Sequence, residues 1–208
     1  MFLNPNVHVE LAQPSAWIQR WSHLLKPRSR VLDVACGSGR HMRWLGQQGH
    51  HCTGVDRSTS ALQQAQAFGP VVEADLEQQP WPYAALPCDF DALVVTNYLW
   101  RPLFQDLCKV VAPGGIVLYE TFSRAHAQFG KPSNPDFLLE PGELLAQFKG
   151  WYIVAYEDGI AHDPLRCVQR ITAIKPQATP MACATTPTMP VAALSIESGR
   201  ALAQAQRA

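Results

Sequence analysis

The sequence lacks an excess of charge of either sign. Its 208 residues include 17 Lys and Arg against 17 Asp and Glu, so the formal net charge at neutral pH is zero. Domains that bind nucleic acid through broad phosphate contact usually carry a basic excess, which this chain does not have. We therefore expect no nucleic-acid partner, although a local basic patch is compatible with this balance.

Long apolar runs are also missing. No run approaches the ~20 residues needed to cross a bilayer, and the first residues show no basic stretch followed by a long apolar core. We therefore expect neither a membrane partner nor a signal peptide. The six cysteines are scattered without a C-x-x-C pair, which is typical of reduced structural thiols in a cytoplasmic protein. The seven histidines are equally dispersed, so no metal site is predicted.

What the chain does contain is an alternation of strand-like and helix-like segments. Strands are predicted from short apolar runs at 30–34, 51–55, 71–74, 90–96, 116–121, 151–157 and 167–174. Helices are predicted at 14–26, 39–48, 58–68, 102–111 and 141–148, with a turn at 113–115. Apolar strands joined by helices favour a parallel sheet that is covered on both faces.

The alternation predicts a single domain over residues 1–175. After Lys175 the chain is rich in Pro, Ala and Thr and poor in large apolar residues, which predicts a disordered tail over 176–208. A partner-binding helix over 192–208 is the alternative, and the role of the tail stays open.

A loop with two glycines follows the first predicted strand, in the stretch RVLDVACGSGRH at 30–41. Gly37 and Gly39 let the backbone approach a ligand closely at the end of a strand. A dinucleotide fold needs G-x-G-x-x-G/A, but Met42 occupies the third small position. Asp33 would repel a pyrophosphate, and no GK[ST] follows, which excludes a P-loop. His41 is expected on the surface of the helix that follows.

Acidic residues stand at the ends of the first three predicted strands. Asp33 can pair with a ligand ammonium. Asp56, placed 17 residues after Gly39, can accept both hydroxyls of a ribose, and Asp75 can meet the amino group of an adenine. The site thus offers acids for an ammonium, a ribose and an adenine but little for phosphate, which matches S-adenosylmethionine.

Five stretches, in this order and spacing, resemble the motifs of class I S-adenosylmethionine-dependent methyltransferases: VLDVACGSGRH, GVDRS, EADLE, FDALVVTNYL and APGGIVLYETF. The resemblance covers about residues 30–121. Within that superfamily the chain is similar to the tellurite-resistance-type small-molecule methyltransferases. The resemblance implies an α/β fold, a Rossmann-like, doubly wound, seven-stranded and mostly parallel sheet with an antiparallel last strand. One departure is Ala35-Cys36, where many relatives carry Gly or another small residue.

The resemblance also implies S-adenosyl-L-methionine as the cofactor and a role for each matching position. The implied cofactor-binding residues are Asp33, Ala35, Gly37, Gly39, Asp56, Arg57, Asp75, Leu76, Thr96 and Asn97, with Ser58 beside the adenine and Tyr98 beside the methyl group. The sequence identifies no catalytic base. By position alone the candidates are Tyr98, Glu120, His126, Asp158 and His162.

The absence of one motif narrows the class of methyl acceptor. Enzymes that methylate exocyclic amines of bases typically carry [DN]-P-P-[YFW] after the fourth strand, where this chain has Thr96-Asn97-Tyr98-Leu99. A small-molecule acceptor is therefore favoured, with aromatic residues as possible pocket walls: Trp81, Tyr83, Tyr98, Trp100 and Phe122. The alternatives are a nucleic-acid or protein methyltransferase, a nicotinamide-dependent oxidoreductase, and a non-catalytic binding protein. The oligomeric state is not predicted.

Overall fold

The computed structural model describes residues 12–85 and 89–177. Its seven strands are β1 Arg30–Val34, β2 His51–Asp56, β3 Val71–Glu73, β4 Phe90–Thr96, β5 Val111–Phe122, β6 Tyr152–His162 and β7 Leu165–Ile174. Its α-helices are α1 Ala16–Trp21, α2 Arg40–Gln47, α3 Thr59–Ala65, α4 Phe104–Val110 and α5 Glu143–Gln147.

All seven strands form one sheet in the order β3-β2-β1-β4-β5-β7-β6. The pairs from β3 through β5 are parallel, whereas β7 runs antiparallel to both β5 and β6. This confirms the predicted seven-stranded, mostly parallel sheet with an antiparallel last strand. The order reverses at β1, so the crevice beside its carboxyl end is where an open α/β sheet binds ligands.

The central strands β1 and β4 are buried on both faces, which explains why β4 is an almost continuous apolar run. Leu93 and Val95 pack into one hydrophobic cluster, while Ala92 and Val94 pack into the other. Successive side chains of a strand point to opposite faces, so both sets must be apolar when helices cover both sides. The prediction of a doubly covered sheet is confirmed.

Some predicted boundaries were wrong. The first helix ends at Trp21 and continues only as a 3₁₀ turn over Ser22–Leu24, rather than filling 14–26. The predicted turn at 113–115 lies inside β5, because Gly114 and Gly115 exchange backbone hydrogen bonds with Lys175 of 2.9 and 2.8 Å. These long-range pairings are invisible to local turn signals.

The cysteines Cys36, Cys52, Cys108 and Cys167 are unpaired. Within 12–85 and 89–177, no helix is long and apolar enough to cross a bilayer, and no cluster of His, Cys, Asp and Glu is suited to a metal ion. The predicted tail from residue 178 onward, including the alternative helix at 192–208, lies outside the described residues.

Candidate active site

The glycine loop between β1 and α2 turns through three residues with positive φ: Ala35 at 54°, Gly37 at 53° and Gly39 at 81°. A Cβ on Gly39 would lie 3.0 Å from the Cα of Ala65, so glycine is needed there for α3 to pack. A Cβ on Gly37 would meet no atom within 4 Å. The backbone at Gly37 therefore borders open space at the carboxyl end of β1.

Asp33 places a buried carboxyl group directly behind this loop. Its side chain is 1% exposed, and neither of its oxygens has a hydrogen-bond partner within the described part of the chain. The nearest basic side chain is His41, whose Nδ1 lies 3.7 Å from Oδ2, beyond hydrogen-bond distance. An unpaired buried acid is costly unless a ligand satisfies it. Both oxygens of Asp33 therefore keep unused acceptor capacity, although Asp33 itself lines neither pocket.

His41 is buried and does not lie on the helix surface, so that expectation was wrong. Its Nε2 accepts from the backbone N–H of Ser15 at 3.2 Å. The Nδ1 position, on the opposite side of the ring, faces Asp33. The segment before α1 therefore folds over the start of α2 and closes this end of the site, a contact that helical periodicity alone does not predict.

Asp56 joins the loop to the next helix. Its Oδ2 accepts from the N–H of Gly37 and its Oδ1 from the N–H of Ser58, each at 2.8 Å. Ser58 in turn caps α3, because its side chain accepts from the N–H of Ala61. Because each carboxylate oxygen has two lone pairs, both oxygens retain a free acceptor direction. Asp56 can hold the loop and still bind a diol.

A pocket opens beside the loop, which we call the carboxylate pocket. It is lined by Ala35, Asp56, Arg57, Ala74, Asp75, Leu76, Glu77 and Tyr98. The structure therefore brings five of the predicted cofactor residues together, namely Ala35, Asp56, Arg57, Asp75 and Leu76. Ala74 and Leu76 are buried and supply apolar surface between carboxylates. Such a lining suits a heterocycle with polar edges better than a phosphate.

The glycine loop also lies in a negative electrostatic environment. Burial and the charges of Asp33 and Asp56 raise the pKa of the Cys36 thiol well above its usual range. The thiol therefore stays neutral at physiological pH and behaves as a small apolar group. The Ala35-Cys36 departure from the family pattern keeps the loop small without adding a nucleophile.

A second pocket adjoins the first, which we call the apolar-walled pocket. It is lined by Arg57, Glu77, Asn97, Tyr98, Leu99, Phe122, Pro132 and Phe137. Arg57, Glu77 and Tyr98 border both pockets, so the two lie side by side. Glu77 was not assigned from the sequence, although it lies in the stretch EADLE, which resembles a family motif. Pro132 and Phe137 lie in the stretch FGKPSNPDFLLEPGELL, which resembles a substrate-side segment of related bacterial proteins.

The aromatic residues expected as pocket walls divide into two groups. Tyr98 and Phe122 line the apolar-walled pocket, as predicted. Trp81 and Tyr83 instead stack edge to face in the core, where Tyr83 also contacts Phe90, so the prediction was wrong for them. Trp100 packs against the same core.

Thr96 and Asn97 end β4 at the same edge, and arginines contact both. Arg40 Nη2 donates to Thr96 Oγ1 at 3.4 Å and its Nη1 donates to the carbonyl of Gln13 at 3.3 Å. Arg166 Nη1 donates to Asn97 Oδ1 at 3.4 Å. The position of Arg40 directly after Gly39 was the available sequence signal, and it was not assigned.

Two candidate bases are already engaged. Glu120 is 0% exposed and accepts from Ser15 Oγ at 3.1 Å, Arg166 at 3.1 Å and Arg170 Nε at 2.5 Å. His126 Nδ1 accepts from the N–H of Cys167 at 3.4 Å, and its Nε2 donates to the carbonyl of Lys131 at 3.1 Å. Neither side chain lines a pocket, so the geometry argues for structural roles.

Tyr98 remains beside both pockets, and its buried hydroxyl has no partner within the described residues. Burial, followed by the charges of Glu77 and Asp75, raises the pKa of Tyr98 above its usual range. The phenol is therefore a hydrogen-bond donor at neutral pH rather than a base. Asp158 and His162 are exposed on β6 and border neither pocket.

Residues 31–115 match the family described as "Methyltransferase domain". The chain is 32% identical over 106 residues to a malonyl-[acyl-carrier protein] O-methyltransferase of Serratia marcescens, covering 49% of this chain and 42% of that protein. It is 30% identical over 108 residues to a ubiquinone biosynthesis O-methyltransferase of Vibrio cholerae, covering 46% and 42%. The chain thus spans less than half the length of these relatives.

Solved structures share the fold at low identity. TehB from Haemophilus influenzae superposes with a TM-score of 0.63 at 16% identity, covering 78% of this chain and 62% of that one. An S-adenosylmethionine-dependent methyltransferase from Mesorhizobium loti gives 0.60 at 18% identity, covering 77% and 99%. At these identities the likeness shows the fold alone, so the tellurite-resistance branch stays a prediction.

Proposed function

We propose that this chain, which belongs to the class I S-adenosylmethionine-dependent methyltransferase superfamily, transfers a methyl group to a small-molecule acceptor. The observation that carries the proposal is Asp33, a buried carboxyl group without a hydrogen-bond partner behind the glycine loop. The cofactor has an ammonium group to satisfy it. A pyrophosphate would instead place negative charge beside Asp33, Asp56 and Asp75, which is unfavourable.

We infer that the glycine loop and the carboxylate pocket together hold the cofactor. Asp33 would accept from the ammonium, Asp56 would accept from the ribose hydroxyls, and Asp75 would meet the adenine amino group above Leu76. Arg57, Ala35, Gly37 and Gly39 would border it, and Thr96 and Asn97 would lie at its reacting end. When bound, S-adenosylmethionine supplies a methyl group on a sulfonium, which is a good leaving group.

The protein's own contribution is orientation and the exclusion of water. Tyr98 borders both pockets and separates the two ligands on one side. Leu99, Phe122, Pro132 and Phe137 provide apolar surface for the acceptor. We infer that the acceptor is small and partly apolar, and that it meets the cofactor where the two pockets join.

No His, Lys or Cys is found among the residues that line the two pockets. A general base is needed only if the nucleophile arrives protonated. We therefore propose an acceptor whose nucleophile is ionised at neutral pH, such as a thiolate, and which lies beside Arg57, the one cationic side chain among the lining residues. The names of the relatives, which concern a malonyl group and ubiquinone biosynthesis, are compatible with small acceptors. A cytoplasmic location belongs to the same proposal.

Calorimetric titration tests the cofactor first. We expect wild-type protein to bind S-adenosylhomocysteine and not NADH. Asp56→Asn should weaken that binding about tenfold, because one charge-assisted hydrogen bond contributes roughly 1.5 kcal/mol. Asp106→Asn, on the surface of α4 beside Lys109, is the matched control and should leave the affinity unchanged.

The outcomes separate the alternatives. Binding of NADH alone would favour an oxidoreductase and overturn the proposal. If S-adenosylhomocysteine binds, labelled S-adenosylmethionine should be tested with paired aromatic thiols and phenols. We expect methyl transfer to the thiols, which ionise near neutral pH. Tight binding without transfer to any acceptor class would instead favour a non-catalytic binding protein.

A further inference from the structure

The segment that walls the apolar-walled pocket is an excursion between β5 and α5, comprising residues 123–139. Its neck is closed by a bridge between Ser123 and Leu139. The N–H of Leu139 donates to the carbonyl of Phe122, and the N–H of Arg124 donates to the carbonyl of Leu139, each at 2.9 Å. The excursion is therefore a closed loop whose tip carries part of the pocket wall.

Arg101 connects this excursion to the opposite wall. It follows the pocket residues Tyr98 and Leu99 closely in sequence and lies in a 3₁₀ turn, Arg101–Leu103. Its Nη1 donates to the carbonyl of Asp136 at 2.7 Å, and its Nη2 donates to the carbonyl of Leu138 at 2.8 Å. These two carbonyls bracket Phe137, which lines the pocket.

A carboxylate holds the guanidinium in place. Arg101 Nε and Nη2 donate to the two oxygens of Glu143 at 2.8 and 2.9 Å. Glu143 also accepts from the N–H of Glu140 at 2.8 Å. The hydrogen bond to Glu143 raises the pKa of Arg101 above its usual value. A bidentate pair of this kind fixes both position and orientation.

We propose that Arg101 is a positioning residue that sets the distance between Leu99 and Phe137 and thereby the width of the apolar-walled pocket. The effect of Arg101 on acceptor binding depends on the proposed function, whereas its effect on the conformation of residues 123–139 does not. The lysine of an Arg101→Lys variant cannot reproduce the fork, because an ammonium cannot bond Glu143 bidentately and reach two carbonyls.

Hydrogen exchange measured by mass spectrometry tests this proposal on the whole protein. In Arg101→Ala, peptides covering 124–139 should exchange at least tenfold faster, because the two hydrogen bonds that tie this segment to Arg101 and Glu143 are lost. Arg101→Lys should give an intermediate rate. Added ethylguanidinium at millimolar concentration should restore protection in Arg101→Ala. If the Arg101 side chain contributed only packing, ethylguanidinium would not restore this protection.

The matched control is Arg124→Ala, in the same excursion. Arg124 pairs with Glu140 on the surface, where an ion pair contributes little, so exchange should be unchanged. Unaltered exchange in Arg101→Ala, or no rescue by ethylguanidinium, would overturn the proposal. Faster exchange across the whole sheet would also overturn it, since Arg101 would then support the fold rather than the wall.

The affinity for S-adenosylhomocysteine separates this proposal from the proposed function. It should stay within about twofold of wild type in Arg101→Ala, because Arg101 borders neither pocket directly. If the wild type does not bind that ligand, the methyltransferase proposal fails, whereas the exchange data still decide the role of Arg101.

Discussion

Replacing Asp33 with asparagine should make the unliganded protein more stable while weakening its affinity for S-adenosylhomocysteine. The substitution keeps the shape of the side chain and removes its charge. Most substitutions of buried polar residues destabilise a protein. Here the opposite sign is expected, because the carboxyl group has no hydrogen-bond partner to lose.

The magnitude follows from the surroundings of Asp33. At 1% exposure without a hydrogen bond, the carboxylate loses nearly all of its hydration. His41 at 3.7 Å and the charge of Arg40 offset only part of that cost. The amide also needs partners, but an unsatisfied neutral group costs less than a charged one. We expect a net gain of about 1 to 2 kcal/mol. For a chain of this size that corresponds to a rise in Tm of roughly 2 to 8 °C.

The loss in binding follows from the missing ammonium partner. A hydrogen bond between charged groups contributes roughly 1.5 to 3 kcal/mol, which corresponds to a roughly 10- to 150-fold weaker Kd. Methylthioadenosine lacks the amino-acid part of the ligand, so its affinity should change by less than about twofold. Calorimetric titration with both ligands and differential scanning calorimetry of the free protein measure these effects.

Asp91→Asn is the matched control, because Asp91 lies at the start of β4, away from the carboxyl ends of the strands. Its Oδ2 accepts from the N–H of Arg30 at 2.9 Å. This variant should lower Tm slightly and leave the affinity for S-adenosylhomocysteine unchanged. The reasoning about Asp33 is refuted if Asp33→Asn lowers Tm, or if both ligands lose affinity equally.

Two further predictions concern buried polar groups outside the pockets. Glu120→Gln should lower the free energy of unfolding in urea by about 3 kcal/mol or more, because it leaves Arg166 and Arg170 without their buried carboxylate; a loss below about 1 kcal/mol would contradict this. Burial raises the pKa of Tyr83 from its usual 10.0 to about 12. Unfolded chains release this proton first, so stability should fall as pH rises from 10 to 12. Between pH 10 and 12, the free energy of unfolding of Tyr83→Phe should therefore fall by about 2 to 3 kcal/mol less than that of the wild type. Urea unfolding at each pH measures this difference. If both proteins lose stability equally with pH, the raised pKa of Tyr83 is contradicted.

Local sequence patterns were sufficient for the strands that carry the site. β1 and β4 begin and end where their apolar runs do, because a buried parallel strand must be apolar on both faces. The acids at the carboxyl ends of β1 and β2 were also found from the sequence, since the carboxyl ends of parallel strands meet at one edge. Because β1 and β2 are neighbouring parallel strands, the strand order alone predicts that Asp33 and Asp56 lie close together.

Contacts between segments far apart in the chain could not be predicted from the sequence. Nothing local marks His41 as buried, since Ser15, which covers it, lies 26 residues earlier. Nothing local shows that Glu120 and His126 are occupied by partners on β7. The sequence determined which ligand chemistry this protein can hold, because that depends on side chains at strand ends. Only the tertiary structure decided which polar groups stay unpartnered and how Arg101 fixes Phe137, because both depend on partners brought together by packing.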